Sequence, residues 1–267
     1  MTISTLETFY DNGFVVLKNV LDSERCEVLR AEIESDLEPL VGPLEFEADV
    51  GYPGAPTHRL APGGQTPRRL LHAYTRSQSW RDLALADRLT DYLTDALNCS
   101  QVLLSQCHHN CIMTKFPGHS SATLWHQDIR YWSFDRPELI SAWFALGHEH
   151  AANGALQVIP GSHKLELDRG RLDRALFLRT DLGANQALIQ QAEAVELHAG
   201  DVLLFHCRLF HAAGPNQTES VKLSPVFTYH CADNLPIPET RSARLPGICM
   251  PSSDLPDPHL PNGGAKN

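Results

Sequence analysis

The run Gly200-Asp201-Val202-Leu203-Leu204-Phe205-His206-Cys207-Arg208-Leu209-Phe210-His211-Ala212-Ala213-Gly214-Pro215-Asn216 decides how the second half of the chain is read. Gly200-Asp201 turns the chain into the apolar run Val202-Leu203-Leu204-Phe205, a candidate strand. The strand then delivers a histidine to a turn, and a second histidine opens the next segment. Gly214-Pro215-Asn216 ends that segment. A side chain at such a strand end can point into the mouth of a barrel. Both His206 and His211 are candidates for that position.

From about residue 101 the period of the sequence is two. Candidate strands are 101–106, 108–115, 122–128, 139–147, 155–160, 193–198, 201–206 and 221–230, with Asn153-Gly154 as a tight-turn signal between two of them. Many short strands with turn punctuation indicate a sandwich or barrel. The first hundred residues read differently. Residues 5–40 give a short helix broken at Gly13, an apolar strand Phe14-Val15-Val16-Leu17, and a second helix. Asp22 or Ser23 caps that second helix, and Cys26, Leu29, Ile33 and Leu37 form its apolar stripe. Helix returns over 78–98. Glycine and proline punctuate 42–67, which reads as a long loop, and 163–192 reads as a lid or short helices. The tail from 233 is expected to wrap the surface.

The sharpest local feature is Trp125-His126-Gln127-Asp128. On a strand, residues two apart project from one face, so His126 and Asp128 would stand side by side as two cis metal ligands. A facial triad requires one further histidine from elsewhere and leaves positions open for a cosubstrate and O₂.

A net charge of -10 argues against a binder of phosphate backbones, which needs a basic face. No apolar run approaches the roughly 18 residues of a membrane span. Met1–Gly13 has neither the basic nor the apolar region of a signal peptide, so a cytoplasmic location is expected. The 7 cysteines make an odd count without a zinc-type double pair and read as thiols. Cys107-His108-His109-Asn110-Cys111 reads as a buried strand with Cys107, His109 and Cys111 on one side. His148 and His150, flanking Glu149, read as a polar rim, and His163 as part of a turn.

Taken in order, these blocks resemble the phytanoyl-CoA dioxygenase family of 2-oxoglutarate oxygenases. That family runs WHQD, a tryptophan strand, NGxLxxxPGSH, GDxxxFxxxxxHxxGxN and then a basic residue. Here these are Trp125 to Asp128, Ser141-Ala142-Trp143-Phe144-Ala145-Leu146, Asn153 to His163, and Gly200 to Asn216. The opening Tyr10-Asp11-Asn12-Gly13-Phe14-Val15-Val16-Leu17 also matches, so the resemblance covers roughly residues 5–230.

The resemblance implies a mainly β chain with flanking helices and a double-stranded β-helix, or jelly-roll, core. It implies one domain over 1–267: a helical part to about 100, the jelly roll over about 101–232, and an irregular tail over 233–267. Carried over, His126, Asp128 and His211 bind Fe(II). The basic position that grips the far carboxylate of 2-oxoglutarate falls on Lys222, where the family usually has Arg. Lysine offers a point charge in place of a planar fork. Trp143 matches a position near the cofactor, and His109 and Arg69 match its polar pocket more loosely.

The implied activity is hydroxylation of a small molecule with O₂, releasing succinate and CO₂, with ascorbate as a conceivable reductant. Asp128 favours this over halogenation, because related halogenases lack the carboxylate. No nucleic-acid or membrane partner is expected. The alternatives on the same core are a metal-binding sensor or scaffold without turnover, and a hydrolase or isomerase.

Overall fold

The computed structural model describes residues 3–251. Its strands are β1 (Phe14–Leu17), β2 (Leu44–Phe46), β3 (Pro67–Leu71), β4 (Val102–Lys115), β5 (Thr123–His126) and β6 (Leu139–Phe144). They continue as β7 (Leu156–Val158), β8 (Glu193–Ala194), β9 (Val202–His206), β10 (His211–Ala213), β11 (Lys222–Cys231) and β12 (Ile248–Cys249). The helices are α1 (Ile3–Asn12), α2 (Ser23–Leu37), α3 (Ala73–Arg76), α4 (Gln78–Ala84), α5 (Asp87–Leu97) and α6 (Gly183–Ile189). No helix among the described residues is long and apolar enough to cross a membrane.

A large antiparallel sheet runs β1-β9-β6-β11-β4-β3-β2, with β12 added on β4, and faces a small sheet β5-β10-β7-β8. The apolar runs of the sequence follow from this arrangement, because the large sheet is covered on both faces. Along β9, Val202 and Leu204 join the core that contains Trp80, Leu89 and Leu93 of the helices. Leu203 and Phe205 point the other way and pack with Trp143, Leu156 and Val158 between the sheets. The turn into β9 needs its glycine: Gly200 has φ +90°, and a Cβ there would stand 2.1 Å from the Leu21 carbonyl oxygen. That close approach lets the Val20 and Leu21 amides donate to the Gly200 carbonyl at 2.8 and 3.0 Å, tying α2 to the sheet.

Asp22 caps α2, its carboxylate accepting from the Arg25 amide at 2.7 Å, and Cys26, Leu29 and Ile33 are buried beneath it. All the cysteines are free thiols, as expected.

The structure departs from the sequence reading in several elements, and the expected helix over 78–98 is the pair α4 and α5. The expected strands 101–106 and 108–115 are one strand, β4, broken in register: Phe227 pairs with Asn110, and Thr228 with Ser105. Residues 106–109 therefore bulge out of the ladder. The loop over 42–67 contains β2, and β3 follows it to extend the sheet edge. The tail does more than wrap the surface, since β12 pairs with β4.

Candidate metal centre and cosubstrate pocket

His126 ends β5 and His211 begins β10, and the two are direct cross-strand partners with ring centroids 4.2 Å apart. Asp128 follows at the start of a 3₁₀ turn, Asp128–Tyr131. Its Oδ1 lies 3.6 Å from His126 Nε2 and 3.7 Å from His211 Nε2. The candidate ligand atoms of the three residues all fall within 4.8 Å of one another, and all three residues are buried. His206, the other sequence candidate, ends β9 elsewhere, its ring 5.4 Å from that of His163.

The tautomers are fixed from behind. His126 Nδ1 lies 2.8 Å from the Leu124 carbonyl and His211 Nδ1 lies 3.0 Å from the Leu209 carbonyl. A carbonyl can only accept, so each Nδ1 carries the proton and each Nε2 presents its lone pair to the cluster. Burial opposes ionisation of Asp128, but His109, His211 and His126 around it hold its pKa below the usual carboxylate range. Burial, assisted by His126, pushes the His211 imidazole down to about 4. The set is thus one carboxylate and two imidazoles whose Nε2 atoms face it. Asp128 Oδ2 is buried without a hydrogen bond, a polar atom left free for a cation. These residues fit a divalent metal of the facial-triad type.

The cluster opens on a cavity of about 370 Å³ that is lined by His109, Arg69, Trp143 and Lys222, every position drawn from the resemblance. His109 Nδ1 is 3.6 Å from Asp128 Oδ2 and 3.3 Å from the Ser141 hydroxyl. Arg69 Nε lies 2.9 Å and Arg68 Nε 3.4 Å from Glu45 Oε1. Neither N–H is aligned on that oxygen, so all three atoms remain buried without a hydrogen bond.

Lys222 is only 6% exposed, and its ammonium donates to Glu149 Oε2 at 3.0 Å and to the Ser224 hydroxyl at 3.0 Å. Glu149 also accepts from the Trp143 indole N–H at 3.1 Å and from Ser224 at 2.6 Å. The ammonium sits 4.7 Å above the Trp143 ring. The polar-rim reading of residues 148–150 is therefore corrected at its centre. Glu149 is 1% exposed and is bonded to Lys222 and Trp143 from behind the pocket wall, because a bridge to Leu197 turns it inward. Lys115 lines the same cavity and donates to the Ser121 and Gly214 carbonyls. Burial, with Lys222 and Arg68 close by, pushes its amine down to about 7.

The single-face reading of Cys107, His109 and Cys111 is also corrected. The bulge breaks the alternation of faces, and His108 and His109 both line the cavity. Cys107 turns to Leu245 of the tail, whose amide donates to its sulfur at 3.2 Å. The tail itself supplies Arg241 to the cavity lining. Ser242 packs beside it, its hydroxyl 2.9 Å from His108 Nε2. No motif around Arg241 marked it in the sequence. A polar residue in a tail carries no period, and only tertiary contact reveals its place.

Both long connections reach the cluster. Phe177, from 163–192, lies edge-on to His126 at 6.0 Å, and Tyr52, from 42–67, lies edge-on to Phe177 at 5.8 Å. The Arg130 guanidinium stacks on Phe177 at 3.6 Å.

Residues 9–224 match the family model of phytanoyl-CoA dioxygenase. The peroxisomal phytanoyl-CoA dioxygenase of Homo sapiens is 25% identical over 235 residues, covering 83% of this chain and 66% of that protein. The chain thus spans about two thirds of the human relative. The ectoine dioxygenase of Halomonas elongata is 26% identical over 263 residues, covering 92% of this chain and 75% of that protein. Among solved structures, EctD from S. alaskensis with 2-oxoglutarate and 5-hydroxyectoine superposes with a TM-score of 0.74 at 20% identity, over 93% and 85% of the two chains. The non-haem alpha ketoglutarate dependent carbocyclase SnoK superposes with a TM-score of 0.69 at 20% identity, over 92% of both chains. These likenesses show the same jelly-roll fold. Combined with the family match across most of its length, they mean that the chain belongs to the phytanoyl-CoA dioxygenase family.

Proposed function

We propose that the protein is a non-haem Fe(II)- and 2-oxoglutarate-dependent dioxygenase that hydroxylates a small molecule. The observation that carries this is the convergence of two proton-fixed imidazoles and an unsatisfied buried carboxylate on one cavity. His126, Asp128 and His211 would hold the metal where the cluster meets the cavity. When bound, iron and 2-oxoglutarate supply O₂ activation, with succinate and CO₂ as co-products.

The chain's own residues do the rest. The Leu124 and Leu209 carbonyls orient the two histidines. Lys222 takes the far carboxylate of the cosubstrate, with Glu149 and Ser224 fixing its ammonium and Trp143 lying beneath it. His109 and Arg69 line the approach. Phe177 and Tyr52 cover His126 and exclude water, which such a site gains from during turnover.

The net charge of -10 supports a partner other than nucleic acid, and the free thiols support a cytoplasmic location. The test is anaerobic loading of the purified chain with Fe(II), followed by O₂ and 2-oxoglutarate. Succinate should form in the wild type and be absent in His126→Ala. Metal binding without any succinate, across a broad panel of small-molecule substrates, would overturn the reading.

A further inference from the structure

The outer surface behind the cosubstrate wall carries a second convergence of ligand atoms. Glu149 and Leu197 form an isolated antiparallel bridge, exchanging N–H···O bonds of 2.8 and 3.1 Å. Both are 1% exposed, so the residues on either side of each point outward. In this pairing His148 stands opposite His198, and His150 opposite Glu196. These flanking pairs are of the non-hydrogen-bonded kind, whose side chains approach most closely.

The side chains bear this out. The His148 and His198 rings stack at 5.0 Å with an interplanar angle of 17°. His148 Nε2 lies 2.7 Å from Glu196 Oε1, and the His150 ring lies 4.8 Å from that of His148. Ligand atoms of His148, Glu196 and His198 all fall within 4.8 Å of one another, and all three residues are exposed.

We propose that His148, Glu196 and His198 form a second metal site, separate from the buried triad, that takes a borderline divalent transition ion such as Zn(II). Two imidazoles and a carboxylate are the donor set of such ions, whereas Mg(II) and Ca(II) prefer oxygen ligands alone. Binding of the ion replaces the contact between His148 Nε2 and Glu196, and any proton on that nitrogen is released to solvent. The ion staples the residue 148–150 segment to residues 196–198 across a single backbone bridge. Glu149 hangs from the inner side of that bridge, so the outer ion and the Lys222 pair share one piece of backbone.

Zn(II) titrated into the metal-stripped full chain, followed by calorimetry, tests this. The wild type should take up two equivalents. His148→Ala and His198→Ala, both at exposed positions, should each take up one. An Asp128→Ala chain should also keep one equivalent, which adding His198→Ala removes; this separates the outer site from the inner one. Uptake by the two surface variants equal to wild type overturns the proposal. So does a single wild-type equivalent that Asp128→Ala abolishes.

Discussion

Lys222 and Glu149 form an ion pair at 3.0 Å with both side chains almost wholly buried, 4% and 1% exposed. Removing one partner of a buried pair costs about 3–5 kcal/mol, because the other charge is left uncompensated. Glu149→Gln keeps an acceptor but removes the charge, so the apo protein should melt below wild type. The far carboxylate of 2-oxoglutarate would then become the natural counter-ion of Lys222. With Mn(II) present and O₂ excluded, 2-oxoglutarate should raise the melting temperature of Glu149→Gln more than it raises that of wild type. An increment no larger than wild type would take Lys222 out of the anchoring role.

The complementary change removes both charges. Lys222→Met combined with Glu149→Gln removes both charges and keeps an acceptor for the Trp143 indole N–H and the Ser224 hydroxyl. This double variant should fold and bind Fe(II), yet require at least tenfold more 2-oxoglutarate, because a charge-assisted contact is lost. An unchanged requirement would move the anchor to Arg69 or Lys115, which line the same cavity.

Lys115 gives the pocket a pH dependence. Its amine, pushed down to about 7 by burial and by Lys222, is only partly protonated at neutral pH. An anionic ligand beside it favours the protonated form, so binding takes up a proton. Affinity for 2-oxoglutarate should therefore be greatest below about pH 7 and weaken as the pH rises through it. Calorimetry across this range should show the decline in wild type and a flatter profile in Lys115→Met. The same slope in both proteins would assign the titration to another group.

His126→Ala, Asp128→Ala and His211→Ala should each abolish Fe(II)-dependent succinate formation while leaving the far-UV circular dichroism unchanged. Asp128 is held ionised by the histidines around it, so its alanine variant should keep the fold but melt somewhat below apo wild type at neutral pH. A melting temperature equal to apo wild type would show that those contacts add nothing to stability.

Phe177 and Tyr52 meet over His126 from two different connections. Cleavage within 42–67 and 163–192 by a protease should slow when Fe(II), 2-oxoglutarate and substrate are present. Cleavage at one unchanged rate with every ligand would show that the two segments do not close on the site.

The parts of the molecule with a short repeat could be read from sequence alone. The spacing of His126 and Asp128 placed both in one cluster, and the Gly200–Asn216 run led to His211, although the residues left His206 open until the family pattern was applied. The strand at 202–206 and the capped helix at 23–37 follow from local rules as well. Glu149 escaped because its inward turn depends on a single bridge to Leu197, far away in sequence. His108 escaped because a bulge cancels the alternation on which face assignment rests. Arg241 escaped for a third reason: it sits in a segment whose position is set only by contact with β4.

Arg241 and Ser242 lie outside both sheets, yet one lines the cavity and the other holds a cavity histidine. Substrate preference can therefore drift, or be redesigned, by rewriting a short stretch of tail. Such changes leave strand register and the metal ligands untouched. A library confined to residues 238–246, fused to an otherwise constant chain, would sample new pocket floors at little risk to folding.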